Sequence, residues 1–171
     1  MEYPLDYEKI FKYFSYEKLP LLDKDSEVGF TKNSLVEPFK IFINSHKELA
    51  NKFVIGGEGE SLHGTRPIFG LTFHPDLTLN LQPSKEIHLE KFLALEVKLL
   101  REGNYNSSIS SAIGQALIYK ESGYKNVIIF LADKGGRIQE NNSANLKNFL
   151  SSLNLDLIVR KISNDTLLPS V

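Results

Sequence analysis

The 171-residue chain contains no cysteine, which removes disulfides, thiolate zinc sites and a cysteine nucleophile together. Long apolar runs are missing as well. The longest, Val127-Ile128-Ile129-Phe130-Leu131-Ala132, falls far short of the roughly 20 residues needed to span a bilayer, so no membrane partner is expected. The opening residues Met1-Glu2-Tyr3-Pro4-Leu5-Asp6 carry neither a basic head nor an apolar stretch. No secretion signal is therefore expected, and a cytoplasmic location is. There is no internal repeat and no low-complexity linker, and the length suits one domain over 1–171 with a single core. Basic excess is also lacking: 20 Lys and Arg stand against 21 Asp and Glu, a net charge of −1. A protein that holds nucleic acid by charge alone leaves a basic footprint, so that class is disfavoured. A local basic face beside an acidic site remains compatible with the total.

Two further patterns fall away. His46, His63, His74 and His88 show no metal-ligand spacing, although His74 adjoins residues of interest below. Gly57-Glu58-Gly59-Glu60 lacks the closing glycine and Lys-Ser/Thr of a phosphate loop.

What is present reads as alternating helices and strands. Ile10, Phe11 and Phe14 are spaced for an amphipathic helix from Asp6 to about Leu19, stopped by Pro20, with a charged loop through Lys24-Asp25-Ser26-Glu27. Asn33 or Ser34 is expected to cap a second helix running to about Lys52, with Pro38 in its first turns. Val54-Ile55 and Ile68 to Phe73 read as strands. Leu77, Leu79 and Leu81 alternate with Thr78, Asn80 and Gln82, the period of a half-buried strand. Phe92 to Lys98 is a strongly apolar strand ending in charge. A helix from about Asn106 to Ser122, a buried strand over 127–132, a helix near 143–153 and a strand near 155–160 complete the chain. Adjacent strands favour antiparallel pairing, whereas the strand–helix–strand unit over 92–132 favours a parallel pair. The expected class is α/β, a mixed central sheet flanked by helices.

Glu96 and Lys98 lie two apart on a strand and leave the same face. Asp76, at the start of the preceding strand, can stand beside them if the two strands pair. Neighbouring carboxylates resist joint ionisation unless a cation intervenes, and oxygen ligands select Mg²⁺, Mn²⁺ or Ca²⁺. The bland readings are a turn aspartate after Pro75 and a solvated ion pair of little energetic weight.

Pro75-Asp76, followed after nineteen residues by Glu96-Val97-Lys98, resembles the PD-(D/E)xK signature of restriction-endonuclease-like nucleases. The helix carrying Ile113-Gly114-Gln115-Ala116-Leu117-Ile118-Tyr119 is similar to the family helix in which a Gln follows the ExK strand. The resemblance covers roughly residues 33–132 and implies a restriction-endonuclease-like core. By this resemblance Asp76, Glu96 and the Val97 carbonyl would hold Mg²⁺, with Mn²⁺ able to substitute. Lys98 would orient or help deprotonate the attacking water, and Gln115 would contact the phosphate or water network. Glu37, near a helix start, resembles the family's accessory acid, with Glu58 and Glu60 competing for that role. Arg66, Arg101, Lys120 and Lys125 are candidate phosphate contacts, and Tyr119 is assigned to the core. The implied activity is Mg²⁺-dependent endonucleolytic hydrolysis of DNA, and small enzymes of this kind often act as a homodimer. The alternatives are a structure-selective resolvase or repair nuclease of the same fold, or an inactive nuclease-like module that binds nucleic acid.

Overall fold

A computed structural model describes residues 5–16, 19, 21, 26–57, 71–82 and 90–162. Its helices are α1 (Leu5–Ser15), α2 (Glu27–Phe30), α3 (Glu37–Ser45), α4 (Lys47–Ala50), α5 (Tyr105–Glu121) and α6 (Glu140–Ser152). Its strands are β1 (Phe53–Gly57), β2 (Leu77–Leu81), β3 (Glu90–Leu100), β4 (Asn126–Asp133) and β5 (Asp156–Lys161). The strands form one sheet in the order β1-β2-β3-β4-β5. β1, β2 and β3 pair antiparallel, while β3, β4 and β5 pair parallel. The α/β class and the mixed sheet flanked by helices are as the sequence implies.

Alternation along the strands builds two cores. Leu93, Leu95, Val97 and Leu99 of β3 point to one face and pack with Phe14, Phe30, Leu35 and Phe39 from the N-terminal helices. Ala94 and Leu100 point to the other and pack with Ala112, Ala116 and Tyr119 of α5 and Leu150 of α6. Glu96 and Lys98 share the parity of Ala94 and Leu100, so they leave the α5 face. The pairing of β2 with β3 skips Phe92 between Leu79↔Leu93 and Asn80↔Lys91. The extra residue is a bulge, and it lets Phe92 and its neighbour Leu93 join the same core.

Several boundaries differ from expectation. The helix expected to begin at Asn33 or Ser34 begins at Glu27. Ser26 caps it by accepting a hydrogen bond from the Gly29 N–H at 3.0 Å, so the charged loop ends earlier. Asn33 and Ser34 lie inside a π-helical turn, Thr31–Val36. Pro38 follows that turn and lacks the N–H that an ordinary turn would return to the Ser34 carbonyl. The wider turn therefore sits where the α ladder is interrupted in any case. The helical run breaks again at His46.

β2 is not half-buried: Thr78 and Asn80 are buried along with Leu77 and Leu79, because helices cover both faces of the sheet. β3 runs past Lys98 to Leu100. Of the strand expected over 68–73, Leu71 makes a single bridge, 72–73 are irregular, and 68–70 lie outside the described residues. Among the described residues no helix is long and apolar enough to cross a membrane.

Leu79, fully buried at the centre of β2, anchors the strand that presents Asp76. Leu79→Ala should cost about 2–5 kcal/mol. Thermal melting should show a drop of roughly 2–4 °C per kcal/mol, and an unchanged midpoint would contradict this packing.

Candidate active site

The site arises because β3 is longer than its antiparallel partner. Pairing with β2 stops at Leu77↔Leu95, while on the other side β3 stays paired with β4 as far as Leu100↔Asp133. In a sheet the N–H and C=O of one residue face the same neighbour. Val97 and Leu99 therefore aim their N–H groups at the space where β2 has ended. Buried backbone donors need partners, and two carboxylates supply them. Asp76 Oδ2 accepts from the Val97 N–H at 2.7 Å, and Glu27 Oε2 accepts from the Leu99 N–H at 2.8 Å. By the same parity the Val97 carbonyl faces the Asp76 side.

Glu96 is held from both sides. Its Oε1 lies 2.7 Å from the Lys98 ammonium, and its Oε2 lies 2.8 Å from the Tyr119 hydroxyl. The Tyr119 hydroxyl is also 3.1 Å from the His74 carbonyl, one donor shared between two acceptors. Lys98 Nζ stands 3.5 Å from Glu27 Oε1. Asp76, Glu96 and Lys98, brought together on sequence grounds, are thus neighbours here, and Glu27 joins them.

Gln115 sits one helical turn before Tyr119, close enough to its hydroxyl to favour the ionised form. It also accepts a hydrogen bond from Ser111 Oγ at 3.1 Å. Ser111, Gln115 and Tyr119 are spaced four apart on one face of α5. Gln115 therefore meets the cluster through Tyr119, and Tyr119 is a core residue with a polar task.

Glu37 is exposed and pairs with Lys40 at 3.2 Å. It borders, with Asp76, Thr31, Lys32, Lys40 and Gly57, a cleft of about 300 Å³. It shares the approach to Asp76, but of the two helix acids it is Glu27 that reaches Lys98. Sequence reasoning passed over Glu27 as loop, although Ser26 followed by an acid is a helix-start signal that pointed to it. Glu58, Glu60, Arg66, His63 and His88 lie outside the described residues. Lys120 donates to the Lys125 carbonyl at 2.7 Å, and Lys125 pairs with Glu90. Glu90 opens β3, roughly 26 Å along the strand from Lys98, which removes both lysines from the cluster. Arg101 directly follows β3, at the same end as the site.

No family model, curated protein or solved structure matches this chain. The functional reading rests on the chemistry of the cluster.

That chemistry is dominated by burial. Loss of solvent raises the Asp76 carboxyl to about 7, with the Glu96 charge adding to the effect and the Val97 N–H and Lys98 opposing it. Glu96 is raised for the same first reason, against the pull of Lys98 and Tyr119. Burial acts downward on the Lys98 ammonium, but Glu96, Glu27 and Asp76 outweigh it and hold it above its usual range. Tyr119 is raised by burial and then by the Glu96 charge, so its hydroxyl stays a donor. Three carboxylates surround one ammonium. If all ionise, the cluster carries two negative charges in excess, the deficit that one divalent cation balances.

The donor set fits such an ion. Among the described residues no three His, Asp or Glu side chains form a metal cage, and Mg²⁺ typically takes one or two carboxylates while keeping waters. Asp76, Glu96 and the Val97 carbonyl are the oxygens that would hold it.

The raised Asp76 pKa fixes a pH dependence. An aspartate in the unfolded chain titrates near 4, and in the fold at about 7, so between those values the native state binds more protons. Stability from this group is complete below about pH 4 and is lost as the pH rises through about 7. In chelator-treated protein, Asp76→Asn should melt a few degrees higher than wild type at pH 8 and no higher at pH 4. A melting difference independent of pH would remove Asp76 from the cause.

Proposed function

We propose that this chain is a metal-dependent nuclease of the PD-(D/E)xK kind that hydrolyses phosphodiester bonds in DNA. The observation that carries the reading is the gathering of three carboxylates, Asp76, Glu96 and Glu27, around the single ammonium of Lys98, with Glu96 buried. A protein pays desolvation for such a cluster only weakly compensated by one lysine, and a divalent cation together with a phosphate would resolve it. Two features support a restriction-endonuclease-like core: the motif strands β2 and β3 pair antiparallel, and the helix after ExK packs on the sheet.

When bound, Mg²⁺ would polarise the scissile phosphate and acidify a water. The residues of the chain do the rest. Asp76, at the open edge of β3, and Glu96, on the α5 face, would hold the ion. Tyr119 fixes the Glu96 carboxylate through Oε2, leaving its orientation independent of solvent. Lys98 stays protonated beside Glu96 and Glu27, which favours its role as a positive charge and donor to the attacking water or the phosphate over that of a base. Glu27 takes up the second side of Lys98 and fixes the β3 edge. The cleft bordered by Thr31, Lys32, Glu37 and Lys40 gives the phosphate backbone a route to Asp76.

Wild-type protein with Mg²⁺ or Mn²⁺ should cut plasmid DNA and stop on chelation. Lys98→Ala should slow cutting by about 10²–10³-fold, assayed below its melting point, which the loss of the buried Glu96 partner lowers. Cutting that survives Lys98→Ala would place the chemistry elsewhere.

The accessory acid is tested by a matched pair of variants. Glu27→Gln should reduce the cleavage rate at least about ten-fold, whereas Glu37→Gln should change it by less than about three-fold. The reverse order in the same assay would restore Glu37 to that role.

A further inference from the structure

The face of the N-terminal helices carries a second cleft, of about 430 Å³, lined by Lys9, Lys12, Tyr13, Tyr16, Phe42 and His46. Its walls are aromatic. Tyr13 and Phe42 stack with ring centres 4.4 Å apart, and Phe42 lies 4.5 Å from the His46 ring. Tyr16, also lining the cleft, is 58% exposed. Among the described residues, the charged side chains lining the cleft are Lys9 and Lys12. Lys12 and Lys9 each meet a glutamate, Glu8 at 2.7 Å and Glu48 at 3.7 Å, but both pairs are solvent-exposed, worth little, and separable by a competing anion.

We infer that this cleft binds an unpaired nucleobase of a single-stranded nucleic acid, with Tyr16 stacking on the base and Lys9 and Lys12 meeting the flanking phosphates. Aromatic faces accept bases that are out of a duplex stack, and every base offers such a face. The volume matches small-ligand pockets of about 300–1,000 Å³. The alternating bases and phosphates of one strand match both wall and rim, the phosphates displacing the exposed glutamate partners of Lys9 and Lys12. The inference rests on the nuclease reading for its context and adds the substrate class. Helix α3 carries Glu37 on the Asp76 cleft at one end and reaches His46 at the other, a span of roughly 14 Å. One strand a few nucleotides long connects the two.

The test is fluorescence anisotropy of a labelled oligothymidylate in chelator, over a series of salt concentrations, beside cleavage of the same strand with Mn²⁺. Wild type should bind. Tyr16→Ala should weaken binding about ten-fold, and Tyr16→Phe, which keeps the ring, should bind as wild type. Lys12→Ala should lower the slope of log affinity against log salt by about 0.7. All three substitutions fall on exposed side chains, and melting curves should be unchanged. No wild-type binding, or equal binding by wild type, Tyr16→Ala and Lys12→Ala, overturns the inference, and in the latter case metal-dependent cutting would still support the nuclease. Binding lost in Tyr16→Ala with no cutting of any substrate would support the cleft and remove the nuclease.

Discussion

The site depends on a difference in strand length. β3 continues five residues past its last pair with β2, from Glu96 to Leu100, and the backbone donors it exposes there are satisfied by side chains and not by another strand. Because those side chains are carboxylates, the same need that closes the edge of the sheet assembles an acidic cluster. Shortening β3 would abolish the cluster, and extending β2 would replace Asp76 at the Val97 N–H by a main-chain carbonyl. The parallel pairing with β4 holds the overhang rigid through Leu100, so Glu96 and Lys98 stay on one face without any loop to support them.

Much of this was legible in the residues. The strand–helix–strand unit over 92–132 implied a parallel pair, and the alternating leucines of β2 implied a neighbour to β3, which together place Asp76 beside Glu96. Two residue types at a spacing of two on an apolar strand are enough to predict a shared face, because strand geometry leaves no freedom there. The position of Glu27 was harder to read. Its segment begins with Lys24-Asp25-Ser26, a polar run indistinguishable from loop by periodicity. The four-residue helix it opens passes into a π turn, which has no 3.6-residue repeat to detect. Glu37 looked stronger because Pro38 follows it, and proline advertises a first helical turn. The actual first turn lies ten residues earlier, and Glu37 reaches the cleft wall instead of the ion pair.

Tyr119 shows a second limit of reading by type. Its full burial was legible, since an aromatic at the end of an apolar helical stripe belongs in the core. Its hydroxyl was not, because a tyrosine donates to whatever acceptor the tertiary fold supplies. Here the acceptor is a carboxylate with one oxygen already taken by Lys98. The pair leaves Glu96 with both oxygens engaged and a fixed plane. Gln115 meets the same tyrosine from the preceding turn, which links α5 to the carboxylates at the edge of β3.

The near-neutral charge of the chain is the remaining tension, and the distribution of its groups addresses it. Counterion release by many lysines gives affinity that collapses with salt, and a protein of net charge −1 is poorly built for that. A grip made from ring faces with two lysines at the rim needs little net charge, because stacking is insensitive to ionic strength and only the few phosphate contacts are screened. The acidic cluster would repel a polyanion until a cation enters, so under the proposed reading affinity at the Asp76 cleft would rise with divalent metal and affinity at the aromatic cleft would not. A substrate held first by stacking and drawn to the carboxylates only once the metal is present would be cut only in the metal-loaded state, with the order of events set by electrostatics and not by a moving part.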